Sequence, residues 1–516
     1  MQPGRPEPRL AEVVAAISLA TDLGMGQPLE HALRTCVLAM RLADQAGVGA
    51  GERPVVYYTA LLRYLGCTGE SHEMSAAFGD EIAARAAFAT IDPGSARAQL
   101  GWMARHAGAG SGLPRRGAAL AGALAAGRSG AREIYAASCE VARRLAERLG
   151  LPGEVQIALR EAFERWDGKG FPAGLSGERI SLGSRLVAIA RDADVFHRAA
   201  GLEAAVEVVA ARAGGAYDPG LAETFCRSAG TVMAAAGEGS AWEAALAAEP
   251  PPHRSVSEER LDEICRAIAD FVDIKSPWTL GHSSGVAELA EAAAWRLGFT
   301  AEEVAALRRA ALVHDLGRVG IPNSIWERPG SLTPDERERV RLHAYLTERV
   351  LAHAPALAPL GAVAGLHHER LDGSGYHRAC GASSLPAPAR VLAAADVYHA
   401  LTEARPHRPA RSPDEAAGTL QEEVTAGRLD ATAAEAVLHA AGRPRVRIAR
   451  PRPAGLTERE VEVLRLLARG NTNRAIGRAL LISVKTVGRH VEHVYEKIGC
   501  STRASASLFA AEHDLV

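Results

Sequence analysis

HHERLDGSGYH, residues 367–377, is the stretch on which the reading of this chain turns. Two adjacent imidazoles, a carboxylate and a DGxG turn follow an apolar helical run, so the ligands stand where a Gly-rich loop lets a substrate come close. Upstream lie His282, the doublet His314 and Asp315, and His343; downstream lies Asp396 in AAADVYHAL. Imidazole and carboxylate hold borderline and hard divalent metals, and one carboxylate can bridge two ions. Five histidines and two aspartates in one ordered set suit a two-metal site.

The surrounding pattern is helical. His282 shares a face with Val286, Leu289 and Ala293, which points its ring into a bundle. His314 and Asp315 end the run EEVAALRRAALVHDLG, with Gly317 placed to close that helix. Thr333-Pro334-Asp335-Glu336 reads as the cap of a third helix that presents His343. The order H, HDLGRVGIP, H, HHERLDGSGY, ADVYHALT resembles the HD-GYP branch of the HD superfamily of metal phosphohydrolases, over residues 256–442.

That resemblance implies one ion on His282, His314, Asp315 and Asp396, and a second on His343, His367 and His368, with Asp315 bridging. It implies iron or manganese, and a phosphodiester substrate, typically a cyclic dinucleotide such as cyclic di-GMP. Asp315 and Arg318 are then the catalytic residues, and Asp372, Gly373, Gly375 and Tyr376 the substrate loop. Where the family usually has lysine, Arg318 keeps the charge but is no proton donor at ordinary pH, so it is expected to clamp a substrate phosphate. His377 stands in place of the proline of GYP and releases a fixed backbone angle. Trp278 stands one turn before His282, where some members carry a glutamate for a third metal; two ions are expected here.

At 516 residues, with 47% apolar and 23% charged residues, the chain is globular and long enough for about three domains. A formal net charge of −2 argues against the whole chain being a polyanion binder. The cysteines (Cys36, Cys67, Cys139, Cys226, Cys265, Cys380, Cys500) show no CxxC spacing, so neither a disulfide framework nor a zinc knuckle is expected. No leader pattern and no long apolar run is present, and a cytoplasmic protein without a membrane span is expected.

An earlier stretch echoes the motif region. EHALRTCVLAMRLA precedes YYTALLRYLGCT as GHSSGVAELAEAAA precedes RRAALVHDLGRV, with the same interval from His31 to Arg63 as from His282 to His314. EAFERWDGKGFPAGL answers GLHHERLDGSGYHRA, and ARDADVFH answers AAADVYHA with Asp194 set opposite Asp396. This is an internal duplication of about 200 residues. In the first copy Arg63 and Tyr64 replace His314 and Asp315, Ala162 and Phe163 replace His367 and His368, and Ser138 replaces His343. Only His31 and Asp194 survive as ligands, so this copy is expected to be metal-free: a sensory or dimerising pseudo-domain, or a scaffold for the other. Gly-rich residues 106–130 read as a flexible part of an insertion, and EPPPH at 249–253 divides the copies.

Past Ala441 comes a Pro/Arg linker with Arg443, Arg445, Arg447, Arg450 and Arg452, which can also touch phosphates. In LTEREVEVLRLLARGNTNRAIGRALLISVKTVGRHVEHVYEKIG, Thr457 and Glu460 form a capping box, with Leu456 and Val461 as hydrophobic staple. Ser483 caps a third helix whose apolar face is Val484, Val487, Val491, Val494 and Ile498 and whose other face carries Lys485, Arg489, Glu492 and Lys497. The segment is similar to the LuxR-type helix-turn-helix. That likeness puts Arg489 and Glu492 at base edges in the major groove, Gly488 at a close approach, and Lys485 and Thr486 on phosphates. It also implies a homodimer on double-stranded DNA, through a fourth helix from about Thr502.

The expected fold is all-α: tandem HD-type helical bundles plus a four-helix helix-turn-helix domain. Its parts are a partly disordered segment at 1–25, a degenerate HD-GYP-like domain at 26–240, an HD-GYP-like metal phosphohydrolase domain at 254–442, a linker at 443–454 and the DNA-binding domain at 455–516. The expected function is a transcriptional regulator that hydrolyses a cyclic dinucleotide or related phosphodiester. The alternative is a regulator whose metal domain binds a nucleotide without cleaving it.

Overall fold

The computed structural model describes residues 7–110, 112–237, 239–443, 453–513 and 515–516. Among these every regular element is helical, and strand pairing is limited to isolated bridges such as Asp372 with Gly381. The all-α expectation holds.

Residues 1–6 lie outside the described residues, but Leu10–Gly24 is a helix buried on nearly every side, from Leu10 and Val13 to Leu19 and Ala20. A helix that is apolar all round belongs inside a core. It packs against Leu316–Gly320 and Pro334–Leu351 of the motif region as well as against His31–Gln45 and Arg53–Leu62. Its few polar groups are satisfied locally: Ser18 Oγ donates to Ala15 O at 2.7 Å and Thr21 Oγ1 to Ser18 O at 2.8 Å. It cements the two halves of the chain together.

The helices that begin at His31 and His282 start in the same way. Each follows a left-handed residue, Glu30 (φ 74°) and Gly281 (φ 79°), and each is capped by a buried aspartate from the helix before it. Asp22 accepts from Ala32 N at 3.1 Å; Asp273 accepts from Ser283 N and Oγ at 2.8 Å. Gly66 and Gly317 also correspond. A Cβ on either would lie about 2 Å from a carbonyl, that of Ser138 (1.8 Å) or of His343 (2.0 Å). Gly317 therefore does not close the preceding helix as expected: that helix, Ala301–Val313, is capped by His314, and Gly317 permits the Pro334–Leu351 helix to come within contact.

Two further expectations are corrected. Residues 113–130 are not a flexible loop but the start of a 36-residue helix, Leu113–Arg148, broken in direction at Gly127 (φ 51°). Its Ala-rich sequence has high helix propensity, which outweighs the scattered glycines. The helix Leu182–Ala200 begins after Gly177–Arg179 just as Ala387–Thr402 begins after Ala382–Ser384. That register sets Arg191, not Asp194, opposite Asp396; the repeated ADV triplet misaligned the two by three residues.

The C-terminal helices are Glu458–Ala468, Asn473–Leu480, Val484–Ile498 and Arg503–Glu512. The Thr457–Glu460 capping box and the Ser483 cap are both present, and Val487 and Val494 sit fully buried beside Leu464, Leu467 and Ile476. Val484, placed on the apolar face, is exposed instead. Of the linker arginines, Arg443 pairs with Asp414 at 2.9 Å, and Arg445, Arg447, Arg450 and Arg452 lie outside the described residues.

Candidate metal centre and DNA-binding helix

Five histidines and two aspartates from distant parts of the second half converge on one buried point. Asp315 is at its centre. Its Oδ1 lies 3.5 Å from His343 Nε2 and 3.7 Å from His367 Nε2; its Oδ2 lies 3.6 Å from His314 Nε2 and 3.9 Å from His282 Nε2. The carboxylate thus faces two groups of imidazoles, one with each oxygen. Asp396 also spans both, with Oδ1 3.3 Å from His282 Nε2 and Oδ2 3.8 Å from His368 Nδ1. That second span had no counterpart in the sequence reading, which gave the bridging role to Asp315 alone.

Backbone carbonyls orient three of the rings. Nδ1 of His314, His343 and His367 lies 2.7, 2.5 and 2.6 Å from the carbonyl three residues earlier, on Ala311, Val340 and Ala364. A ring that donates Nδ1–H to a carbonyl keeps Nε2 bare and turned to the centre, the arrangement metal-binding histidines use. His314 Nε2 is buried with no hydrogen-bond partner. Nε2 of His343 and of His367 lie 3.1 Å apart. Burial pushes His343 and His368 down and His367 down to about 3, with neighbouring imidazoles adding to the effect on the last two. Burial alone would raise Asp315, but Arg318 and the imidazoles of His314, His343 and His367 outweigh it and hold the carboxyl well below its usual range. Imidazoles kept neutral at His343, His367 and His368 beside ionised carboxylates are donors that a divalent ion requires.

The donors fall into triads whose atoms lie within 4.8 Å of one another: His343, His367 and His368; and His282, His314 and Asp315. A third triad was not foreseen, namely His282, His399 and Glu403. His282 Nδ1 lies 2.9 Å from Glu403 Oε2, which also accepts from Arg405 at 2.6 Å, so a carboxylate orients this imidazole from behind. The signal in the sequence was the spacing of His399 and Glu403, four apart, with Glu403 the extended residue just past the helix end. Trp278 is 40% exposed and does not enter this cluster.

Arg318 lies against the centre, its Nη1 2.8 Å from Asp315 Oδ2 and its guanidinium 4.1 Å over the Trp326 ring. The loop is tied down by Glu369, buried, which accepts from Arg378 N at 2.6 Å and Cys380 N at 2.9 Å. A Cβ on Gly375 would meet Glu369 Cα at 2.4 Å, so glycine is required there. Asp372 is exposed and holds its own turn through Ser374 N at 2.9 Å, with Gly373 (φ 77°) completing it. Tyr376 leans over His368 with ring centroids 4.8 Å apart. His377 turns away to Glu348, 3.4 Å distant.

On the third C-terminal helix Lys485, Arg489 and Glu492 are exposed along one face, and the space above Gly488 is open. Thr486 is half-buried, its hydroxyl 2.8 Å from Ser483 Oγ in the helix cap. Lys497 is held by Glu460 at 2.7 Å and belongs to the fold rather than to the presented face.

A buried His/Asp cluster in a helical bundle, joined to a helix-turn-helix, defines a metallohydrolase-like protein with a DNA-binding tail. The family model described as HD domain matches residues 103–221 and 266–433, and the chain belongs to that family. Residues 454–510 match the model of bacterial regulatory proteins of the luxR family. The 3'3'-cGAMP-specific phosphodiesterase 3 of Vibrio cholerae is 29% identical over 417 residues, covering 80% of this chain and 90% of that one. The 3'3'-cGAMP-specific phosphodiesterase 1 of the same organism is 39% identical over 172 residues, 33% of this chain and 40% of its own. The cyclic di-GMP phosphodiesterase response regulator RpfG of Xanthomonas campestris is 34% identical over 165 residues, 32% and 44% of the two chains. The crystal structure of a cyclic GMP-AMP specific phosphodiesterase of V. cholerae aligns with a TM-score of 0.58 at 26% identity, covering 84% of this chain and 98% of that one. Among the described residues no helix is long and apolar enough to cross a membrane.

Proposed function

We propose that the chain is a DNA-binding transcriptional regulator whose residues 254–442 hydrolyse a cyclic dinucleotide, with a degenerate domain at 26–240, a linker at 443–454 and a DNA-reading domain at 455–516. The observation that carries this is the position of Asp315, with an oxygen toward each imidazole group. It supports two divalent ions, iron or manganese, one on His282, His314, Asp315 and Asp396 and one on His343, His367 and His368. Such a pair would supply Lewis-acid activation of the nucleophile and charge stabilisation for phosphodiester hydrolysis. The chain's own residues do the rest. Arg318 offers its guanidinium to a substrate phosphate, and Tyr376 with the Asp372–Gly375 turn closes over it. Glu403 keeps His282 in one orientation. The relatives' names support the substrate class.

For DNA, the exposed line of Lys485, Arg489 and Glu492 supports a helix seated in the major groove, and exposed Leu508 on the last helix supports pairing of two copies. A cytoplasmic setting accords with a DNA reader. One observation favours the sensor alternative: Arg318 is an arginine paired to Asp315, a group that cannot give up a proton to a leaving oxygen. Turnover of cyclic di-GMP and of 3'3'-cGAMP by the metal-loaded full chain tests the proposal; tight binding without cleavage of either would select the sensor.

A further inference from the structure

The first half sets a buried Arg63 and a partly buried Arg191 where the second half sets His314 and Asp396. Arg63 caps the helix Arg53–Leu62 as His314 caps Ala301–Val313. Its side chain belongs to a residue only 8% exposed, and its Nε and Nη1 have no hydrogen-bond partner. Phe163 lies 5.1 Å and Tyr64 5.9 Å from the guanidinium. Ring faces attract the charge but do not replace acceptors for buried N–H groups. Arg191 stands tenth in Leu182–Ala200, as Asp396 stands tenth in Ala387–Thr402; its Nε is also unpartnered, while its other end meets Asp192. His31 Nε2 is buried and unpartnered as well. The charge of Arg191 reaches both Arg63 and His31, lowering their proton affinity in addition to the larger effect of burial.

The nearby carboxylates are shared among several cations, and among the described residues none is ion-paired with Arg63. Asp194 is divided among His31 at 2.7 Å, Arg34 at 2.7 Å and Arg198 at 2.8 Å, and Asp192 between Arg191 and Arg212, the latter at 2.6 Å. Glu70, nearby, turns to Arg85, and burial pushes its carboxyl up to about 7. Beside Arg63 an aromatic cluster continues: Tyr135 is tilted against Phe163 at 4.7 Å and stacked on Phe171 at 5.2 Å. Of these cations Arg63 alone keeps a buried charge with no carboxylate, its Nε and Nη1 unpartnered; such a charge is strongly disfavoured, and an anion from outside would answer it.

We propose that this pseudo-site binds, without cleaving, a phosphate-bearing nucleotide: the phosphate between Arg63 and Arg191, the base against the Tyr135, Phe163 and Phe171 rings. The site is independent of the metal cluster and needs no hydrolysis there.

Hydrogen exchange on the metal-loaded full chain tests it, with inorganic phosphate, GMP and cyclic di-GMP as separate probes. The nucleotides slow exchange severalfold at residues 61–66 and 188–194. Arg63→Met abolishes that protection, Arg191→Met weakens the affinity behind it at least tenfold, and protection around 367–376 by cyclic di-GMP persists in both. Without ligand Arg63→Met melts at or above the wild-type temperature, because it removes an unpaired buried charge. If Arg63→Met does not fold, Arg191→Gln carries the same test. Absence of protection at 61–66 and 188–194 with every probe, or protection that survives these substitutions, overturns the proposal. Protection by inorganic phosphate alone overturns the nucleotide assignment.

Discussion

Arg318 donates to Asp315 across 2.8 Å, so the carboxylate that faces both imidazole groups already carries a counter-charge. This pair sets two requirements on the centre: Asp315 is ionised before any metal arrives, and Arg318 must turn from it to reach a substrate. Removing the guanidinium frees an oxygen for metal while depriving the transferring phosphoryl group of a donor. Arg318→Ala is therefore expected to keep its metal content and lose about 10²- to 10³-fold in turnover. Arg318→Lys restores a point charge and should retain turnover within about tenfold. Elemental analysis beside steady-state kinetics separates the effects; loss of metal in Arg318→Ala contradicts the assignment.

His282 is held between two carboxylates. Burial would lower its pKa, but hydrogen bonds to Asp396 and Glu403 overcome this and raise it to about 9. An ion binding at Nε2 must displace that proton, so apparent affinity should climb with pH up to about 9 and level off above it. Glu403→Gln weakens the hold on the ring and should flatten this climb while lowering affinity at pH 9 about 10- to 100-fold. Metal titrations from pH 6 to 10 give both curves; an identical slope in wild type and variant would remove Glu403 from this role.

A buried ion pair joins the two halves. Lys275 Nζ lies 2.7 Å from Glu81 Oε1 and 2.7 Å from Asn323 Oδ1, and Asn323 N returns to Glu81 at 3.0 Å. Asn323 opens the short helix that ends at Trp326, the ring beneath Arg318. Glu81→Ala leaves a buried ammonium with a single amide partner and should cost about 3–5 kcal/mol of stability. Denaturant melts measure this, and a loss below about 1 kcal/mol would show that water replaces the carboxylate.

Arg489 and Lys485 face solvent on one side of the same helix but are expected to read different parts of the duplex. Arg489→Ala should relax sequence preference by about 1–3 kcal/mol at one base position, and Lys485→Ala should weaken binding to all sequences alike and reduce its salt dependence. Binding over a panel of operator variants at several salt concentrations decides, and equivalent effects of the two substitutions would contradict this docking.

The convergence of the His/Asp set was legible because its residues carry their chemistry in their identities: each histidine and aspartate stood out by type, order and helical face. What remained hidden depended on geometry between distant segments. Glu403 gains its role only when Ala387–Thr402 packs beside His282–Arg296. The burial of Leu10–Gly24 stayed hidden because it comes from both halves at once, which no local pattern records. Arg191 was passed over in favour of Asp194 because a matching triplet outweighed helix register, and the contact that exposes the error is His31 Nδ1 with Asp194 Oδ2 at 2.7 Å. In the second half that nitrogen meets Glu403, while Asp396 meets Nε2. The helix-turn-helix was read nearly to the residue, since its caps and apolar face are local.

The most direct test of the central claim is metal content and cyclic dinucleotide turnover measured together on the full chain and on Asp315→Ala. Removing the carboxylate takes away the charge that lets two cations sit near one another and the oxygens that face both imidazole groups. The account predicts about two divalent ions and measurable phosphodiester cleavage for the wild type, with both lost in Asp315→Ala. Asp315→Ala that keeps its metal and its turnover, or a metal-loaded wild type that cleaves no cyclic dinucleotide, would contradict it.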